Sequence, residues 1–270
     1  MNNEDTNEQP IDKNRFGGID RLYGIGSVTC LSQSHVLVIG IGGVGTWAAE
    51  ALARTGVGAV SLMDLDEICV TNVNRQSHAL SSTIGHSKVA VMTQRLMAIN
   101  PAIHVTMIDD FLDRENMAEH VTPEYSVVID CTDGGHIKAA LAAYCSARKI
   151  SLVMVGSSGG KRNPSMIRVS DLARTISDPL LSKVRRELFG RYKFAKDSKR
   201  KFYIDAVYSE EQMVYPHPDG SVNQQKPAIK EGTKLDCSGG FGSSTMVTGS
   251  FGFAAASRAV EICLKTITSN

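Results

Sequence analysis

The stretch His35-Val36-Leu37-Val38-Ile39-Gly40-Ile41-Gly42-Gly43-Val44-Gly45, continued by Thr46 to Thr55 and by Ala59-Val60-Ser61-Leu62-Met63-Asp64, decides the fold. Val36–Ile39 is a short apolar run and predicts a buried strand. Gly40, Gly42 and Gly45 follow with the spacing G-x-G-x-x-G. The first allows a tight turn, the second lets backbone approach a phosphate, and the third lets a helix pack on the strand. Val44–Thr55 is predicted helical, and Ala48, Ala49, Ala51 and Ala53 let it lie close to a sheet. Gly56 and Gly58 end it. A second strand, Ala59–Met63, ends in Asp64, where a carboxylate can accept hydrogen bonds from ribose hydroxyls. Strand, glycine turn, helix, strand and acid predict a mononucleotide-binding βαβ unit, with the phosphate at the helix N-terminus. By itself this identifies an adenosine-bearing nucleotide and does not choose among NAD, FAD and ATP.

Outward from this unit, strands and helices keep alternating. Ser87–Ile99 reads as a helix, Ile103–Ile108 and Val127–Asp130 as strands, His136–Lys149 as a helix and Leu152–Val155 as a fifth strand. That alternation predicts an α/β fold with a Rossmann-like, doubly wound, mainly parallel sheet. The pattern then changes. Met166–Val169 reads as an antiparallel strand, and Tyr203–Tyr208 and Gln212–Tyr215 alternate like half-buried strands. Asp178-Pro179 caps a helix to Phe189, Asp219–Lys234 is loop-like, and Thr245–Lys265 is a final helix. The expected organisation is a disordered tail at 1–14, a nucleotide-binding core at 15–160, and an extension at 161–270 packed on the same sheet with a basic insert at 183–201.

Composition excludes little. The chain has 270 residues, 42% hydrophobic, enough for a sizeable core, and a formal net charge of +1 names no partner. Met1 to Arg15 lacks an apolar segment and does not read as a secretory signal. Cys30, Cys69, Cys131, Cys145, Cys237 and Cys263 form no C-x-x-C pair and fit reduced, cytosolic thiols. Ser238 to Ser257 is uncharged and about as long as a membrane span. Its glycines, serines and threonines favour a buried helix after a glycine turn over membrane association.

The residues behind the glycine loop bear on the nucleotide. Asp66, Asn72, Asn74, Arg75, Gln76 and Lys88 follow the second strand, and Asp133 follows the fourth, at the carboxyl edge where ligands of such sheets bind. Cations and a carboxylate suit phosphates and a metal ion better than a nicotinamide. Each has a plainer reading. Arg75 alone reads as a surface ion-pair partner. Asp133 reads as a helix cap. Lys88 reads as a first-turn lysine, a position where a cation is disfavoured unless an anion is near.

Together, Gly40-x-Gly42-Gly43-x-Gly45, Asp64-x-Asp66, Asn72-x-x-Arg75-Gln76, Gly85-x-x-Lys88 and Cys131-Thr132-Asp133 resemble the adenylating fold of ubiquitin-activating enzymes. Bacterial relatives of the ThiF/MoeB type activate sulfur-carrier proteins for molybdopterin and thiamine synthesis. The likeness covers about residues 15–160. It implies ATP and Mg2+. Asp64 would hold the ribose, and Asn72, Arg75 and Lys88 would hold phosphates and stabilise the charge of adenylation. Gln76 would support Arg75, and Asp133 would bind Mg2+. Gly40, Gly42, Gly43, Gly45, Asp66 and Asn74 complete the implied site. A homodimer is implied too, because an N-terminal arginine of the family reaches the partner subunit's ATP site. Arg21 is the first candidate for that role and Arg15 the second.

The chain departs from the sulfur-carrier activators by lacking their zinc-binding cysteine pairs and by having Gly134 after Asp133. Arg15-Phe16-Gly17-Gly18, Arg21-Leu22-Tyr23-Gly24, Asp178-Pro179-Leu180, Tyr215-Pro216 and Asp236-Cys237-Ser238-Gly239-Gly240-Phe241-Gly242 look instead like one subgroup, the tRNA threonylcarbamoyladenosine dehydratases, across nearly the whole chain. That resemblance implies ATP-dependent activation of a threonylcarbamoyl carboxylate beside the tRNA anticodon, followed by intramolecular cyclisation with loss of water. Activation of a ubiquitin-like sulfur carrier is the alternative; a nicotinamide oxidoreductase and a nucleotide-sensing module are further ones. The expected partners are the tRNA anticodon stem-loop, a second copy of the chain and a sulfur-transfer or desulfurase accessory protein, with no DNA; the expected location is cytoplasmic. Arg185, Arg186, Arg191, Lys193, Lys196, Lys199, Arg200 and Lys201 would track RNA phosphates, with Tyr192, Phe194 and Phe202 stacking on bases. A solvated basic loop is the plainer reading. Cys237 reads as a small residue packed in a glycine-rich turn, in preference to a thiol carrying a persulfide or covalent intermediate.

Overall fold

Strands buried on both faces must be apolar at consecutive positions, and the apolar runs of the sequence become the centre of one sheet. The computed structural model describes residues 13–197, 200–226 and 241–265. Helices α1 (Lys13–Tyr23) and α2 (Ser27–Ser32) lead into β1 (His35–Ile39), α3 (Gly45–Arg54) and β2 (Ala59–Met63). There follow α4 (Lys88–Ile99), β3 (His104–Ile108), α5 (Met117–His120), β4 (Val127–Asp130), α6 (Gly135–Arg148) and β5 (Leu152–Val155). The remainder comprises β6 (Ile167–Asp171), α7 (Pro179–Gly190), β7 (Asp205–Ser209), the two-residue strands β8 (Tyr215–Pro216) and β9 (Val222–Asn223), and α8 (Thr245–Lys265).

The sheet has seven strands in the order β3-β2-β1-β4-β5-β7-β6. All neighbours are parallel except β6 on β7. Ile39 stands level with Met63 on one side and Asp130 on the other. The carboxyl ends of β1, β2 and β4 therefore open onto one edge, at the point where strand order reverses around β1. Alternation along β1 feeds two cores. Val36 and Val38 pack with α3, α4 and α8 (Leu52, Met92, Phe251), whereas Leu37 and Ile39 pack with α5, α6 and α7 (Met117, Leu141, Leu188). The strand–helix joint at the glycine loop is tight: a Cβ on Gly45 would fall 1.9 Å from the Gly40 carbonyl oxygen.

The doubly wound, mainly parallel fold is as the sequence predicts, with four differences. The segment Arg15–Tyr23, to which the sequence pattern assigns no element, lies in helix α1; Phe16 is buried, with its ring against Gly56. The strand expected at Tyr203–Tyr208 joins β5 in parallel as β7, so β6 alone runs antiparallel within this sheet. Gln212–Tyr215 forms no sheet strand; Met213 and Val214 are buried, and only Tyr215 pairs, in the separate β8–β9 ribbon. Asp219–Lys234, read as loop, contributes β9. Helix α8 lies on the first core with Val247, Phe251, Ala255 and Ala259 buried, and no helix among the described residues is long and apolar enough to cross a membrane. Cys237 and Lys199 lie outside the described residues.

Candidate active site

A cleft of about 590 Å³ opens at the carboxyl ends of β1, β2, β4 and β5. Its walls include Gly40, Gly42, Gly43, Asp64, Asp66, Asn72, Arg75, Gln76, Lys88 and Asp133, together with Gly156–Gly159, Leu180 and Thr248. Residues spread over more than two hundred positions of sequence, from Gly40 to Thr248, thus meet in one place.

Ile41 ties the glycine loop to two side chains. The Ile41 N–H donates to Asp64 Oδ2 at 2.7 Å, and the Ile41 carbonyl pairs with His78 Nε2 at 3.0 Å. Asp64 Oδ1 accepts from the Asp66 N–H at 2.9 Å. Both oxygens of the carboxylate assigned to a ribose are therefore engaged within the chain; lone pairs remain on each. Lys88, the first residue of α4, is buried. Its Nζ lies 2.6 Å from Asp66 Oδ2 and 3.6 Å from Asp64 Oδ1. Those carboxylates are the anions that make a lysine acceptable at the positive end of a helix.

Arg75 donates from Nη1 to the Thr71 carbonyl and to Asn74 Oδ1, at 2.8 and 3.0 Å. Its carbonyl accepts from Trp47 Nε1 at 2.9 Å. Its stem crosses the loop so closely that a Cβ on Gly43 would meet it at 3.2 Å. Asn72 is buried and folds its own turn, accepting the Cys69 N–H at 3.0 Å. Gln76 is buried with its Oε1 unpartnered among the described residues, on the cleft wall. Asp133 is exposed and makes no hydrogen bond or ion pair among the described residues; Gly134, not Asp133, stands at the N-cap of α6.

Four of the candidate residues lie away from the cleft lining. Asn74 is turned to α8, donating from Nδ2 to the Ser243 carbonyl at 3.0 Å, while its own carbonyl accepts from Thr245 Oγ1. Gly45 serves the strand–helix contact. Arg21 is exposed on α1, and Arg15 is tied to the Ile99 carbonyl at 2.7 Å.

The basic stretch also divides. Arg186, Arg191, Lys193, Lys196, Arg200 and Lys201 are exposed. Arg185 is not available as a phosphate ligand in this arrangement: it is half-buried and donates to the Leu172 carbonyl and Thr175 Oγ1. Phe202 is buried in the second core, with Phe189 and Phe194 edge-on against it, so it offers no free face; Phe194 and Tyr192 are half-buried against the same core.

Sequence reasoning missed the charges beneath the floor of the cleft. Lys138 and Asp130 are both fully buried, with Nζ 3.0 Å from Oδ2. Asp130 Oδ1 accepts from the Thr132 N–H at 3.0 Å and its hydroxyl at 2.7 Å, which orients the loop that carries Asp133. Asp178 caps α7 through the Leu181 N–H and clamps the Ser157 N–H at 2.8 Å, fixing the loop after β5. Burial raises its carboxyl above the usual range, against those two N–H groups and the Lys161 and Lys138 ammoniums. His78 lies in the connection between β2 and α4 and is buried. Burial lowers its imidazole to about 4, opposed by the Ile41 hydrogen bond, so it is neutral near pH 7. The Cys131 thiol, raised by burial to about 12, stays protonated. The spacing of Asp130, Lys138 and His78 follows no short motif, and only the assembled fold brings them under the loop.

These features suit a nucleoside triphosphate: a glycine cradle and two cations for its phosphates, an uncommitted carboxylate, and a buried amide oxygen able to accept from a donor on the nucleoside. Comparison with known proteins narrows the class. The chain is 48% identical to the tRNA threonylcarbamoyladenosine dehydratase of Escherichia coli K12 over 92% of its own length and 93% of the relative's. The Haemophilus influenzae enzyme of the same name is 46% identical over 93% and 94%. The solved structure of E. coli tRNA N6-threonylcarbamoyladenosine dehydratase, TcdA, in complex with ATP matches with a TM-score of 0.85 and 42% identity, covering 97% of this chain and 99% of that one. The model of the ThiF family matches residues 20–266, and with the glycine loop, Arg75, Lys88 and Asp133 gathered on one cleft, the chain belongs to the ThiF family.

Proposed function

We propose that this protein is an ATP-dependent tRNA-modifying enzyme that activates the carboxylate of threonylcarbamoyladenosine beside the anticodon and closes it with loss of water. The observation that carries this reading is the likeness to the E. coli dehydratase over more than nine-tenths of both chains, which includes the second half as well as the nucleotide cleft. ATP as the nucleotide is supported by the TcdA complex with ATP.

The residues have matching work to do. N–H groups of the loop at Gly42 and Gly43 face the phosphates, and Arg75 and Lys88 take up negative charge as it builds. Lys88 exchanges part of its contact with Asp66 for phosphate oxygens. Mg2+ would be held by Asp133 together with the phosphates, as this ion commonly is with one carboxylate, and would neutralise the leaving phosphate. In the adenylate route the substrate carboxylate attacks the α-phosphorus and pyrophosphate departs. The neighbouring carbamoyl group then attacks the activated carbonyl and AMP leaves, so one water is lost overall. The second step is intramolecular, and proximity supplies much of its rate. We place the reaction in the cytoplasm and in a homodimer, with exposed Arg21 entering the second copy's cleft beside the exposed Leu22 and Ile25.

The test is mass analysis of nucleosides from tRNA incubated with the protein, ATP and Mg2+. Threonylcarbamoyladenosine is expected to lose one water, and Arg75→Ala and Asp133→Ala are expected to abolish that loss while remaining folded. An unchanged nucleoside, with ATP–pyrophosphate exchange stimulated by a ubiquitin-like sulfur carrier, would replace this reading with carrier activation.

A further inference from the structure

Phe202 and Tyr203 leave one carboxylate in opposite directions. The Phe202 N–H donates to Asp171 Oδ1 at 3.0 Å, and the Tyr203 N–H donates to Asp171 Oδ2 at 2.8 Å. Phe202 turns into the core, whereas Tyr203 is 87% exposed. Tyr203 has φ 59°, a left-handed conformation that a bulky side chain seldom adopts. Such a conformation persists where its surroundings over-determine it, and it concentrates at functional sites. Here the Asp171 clamp and the buried neighbours Phe202 and Ile204 impose it. The result is an aromatic ring displayed at the surface and, among the described residues, stacked on no other ring.

The ring borders a second cleft, of about 420 Å³, with Asp171, Arg174, Lys201, Asp205 and Arg258. Asp205 begins β7 and Asp171 ends antiparallel β6, level with each other, so this cleft lies at the opposite edge of the sheet from the glycine loop. Its acids are already engaged. Asp171 accepts three backbone N–H groups, including that of Ala173. Asp205 takes Arg258 at 2.8 Å, and Arg258 also holds Glu261 at 2.6 Å. Arg174 and Lys201 are exposed and make no ion pair among the described residues, and exposed Arg200 adjoins them. A π-face beside two exposed cations that hold no ion-pair partner among the described residues matches a nucleobase and its flanking phosphates, and the cations favour a polyanion over an apolar peptide.

We propose that this cleft is a second RNA contact, in which an unstacked base of the substrate RNA lies on Tyr203 and the phosphates beside it meet Arg174 and Lys201. The proposal rests on the reading of the substrate as tRNA. It adds a hold on that RNA at least roughly 15 Å from the nucleotide cleft, the length of β7 at about 3.3 Å per residue. Tyr203 thereby takes the stacking role that the buried Phe202 cannot play.

Tyr203→Gly removes the ring and suits the left-handed backbone, so the fold is retained; Tyr203→Phe keeps the π-face. Binding of full-length tRNA to the full chain is measured across a salt series. Tyr203→Gly is expected to weaken affinity by about fivefold to a hundredfold, the range of base–aromatic stacking, with Tyr203→Phe close to wild type. Arg174→Gln is expected to lower the slope of log affinity against log salt by about 0.7–1. Unchanged affinity in Tyr203→Gly and an unchanged slope in Arg174→Gln overturn the proposal. A wild-type protein that binds tRNA but yields no dehydrated nucleoside breaks the functional reading instead, and the ring dependence of binding still decides this contact. A wild-type protein with no affinity for tRNA overturns both.

Discussion

Replacing Lys138 by methionine keeps most of the side-chain volume and removes the charge that faces Asp130. Both groups are fully buried, with Nζ 3.0 Å from Oδ2. At an effective dielectric of about 20, opposite charges at that separation attract by about 5 kcal/mol. Desolvation of the two ions offsets much of this in the intact pair. Once the lysine is gone, however, the carboxylate keeps its desolvation cost without a partner, and breaking such pairs costs about 3–5 kcal/mol. The two hydrogen bonds from Thr132 to Oδ1 remain and keep the expected loss near the lower end of that range. For a chain of this size the shift in Tm is roughly 2–4 °C per kcal/mol. Urea unfolding of Lys138→Met, of Asp130→Asn and of the double variant supplies the measurement. The double variant is expected to be more stable than Lys138→Met alone, because no uncompensated charge remains. If Lys138→Met lies within about 1 kcal/mol of wild type, or if the double variant loses the sum of the two single losses, the pair is not the buried, coupled unit its geometry indicates.

Two other perturbations separate support of the site from participation in it. His78 titrates at about 4 in the folded chain and near 6.5 when unfolded, so the unfolded chain takes up the proton first. Its contribution is therefore fully present at neutral pH and is lost as pH falls from about 6.5 to 4. About 2.5 units correspond to roughly 3 kcal/mol, and His78→Gln is expected to flatten stability against pH in that window; an unaltered profile refutes it. Arg185→Ala is expected to reduce stability by about 1.5–3 kcal/mol, the range for hydrogen bonds to a charged donor, and to leave the salt dependence of tRNA binding unchanged. A lower salt slope at full stability would return Arg185 to the RNA surface.

The centre of the sheet was legible because β1, β2, β4 and β5 are buried on both faces, so their sequences are largely apolar runs between glycine and polar turns. β2, β4, β5 and α8 match the expected limits. Legibility failed where contacts are made at long range. Helix α1 carries two glycines and depends on Phe16 seating against Gly56, some forty positions away. The position of β7 between β5 and β6, parallel to one and antiparallel to the other, is set by long-range pairing that its own alternation does not encode. In the cleft, the glycine loop, Arg75, Lys88 and Asp133 were readable because their spacing is local to βα turns. Asn74 was misplaced by one turn's direction, being rotated onto α8. His78, Asp130 and Lys138 were invisible because a supporting charge or ring is recognised by its burial, which no short pattern encodes. The aromatic residues of the basic segment were read by type, and the neighbouring Tyr203, exposed by its backbone, was passed over.

The strand order also sets a schedule for making the protein. β6 precedes β7 in the chain, yet it meets the sheet only through β7, and β7 meets it only through β5. A nascent chain that has released β6 from the ribosome has nowhere to dock it until residue 209 has emerged. Meanwhile β5 stands as an open edge, the kind of surface that invites wrong pairing. The first core waits longer still, because Val247, Phe251 and Ala259 of the last helix complete the layer begun by Leu31 and Val36. A polypeptide that stops short therefore carries every residue of the glycine loop without the surroundings that shape it, and a working cleft arises only after translation is nearly complete.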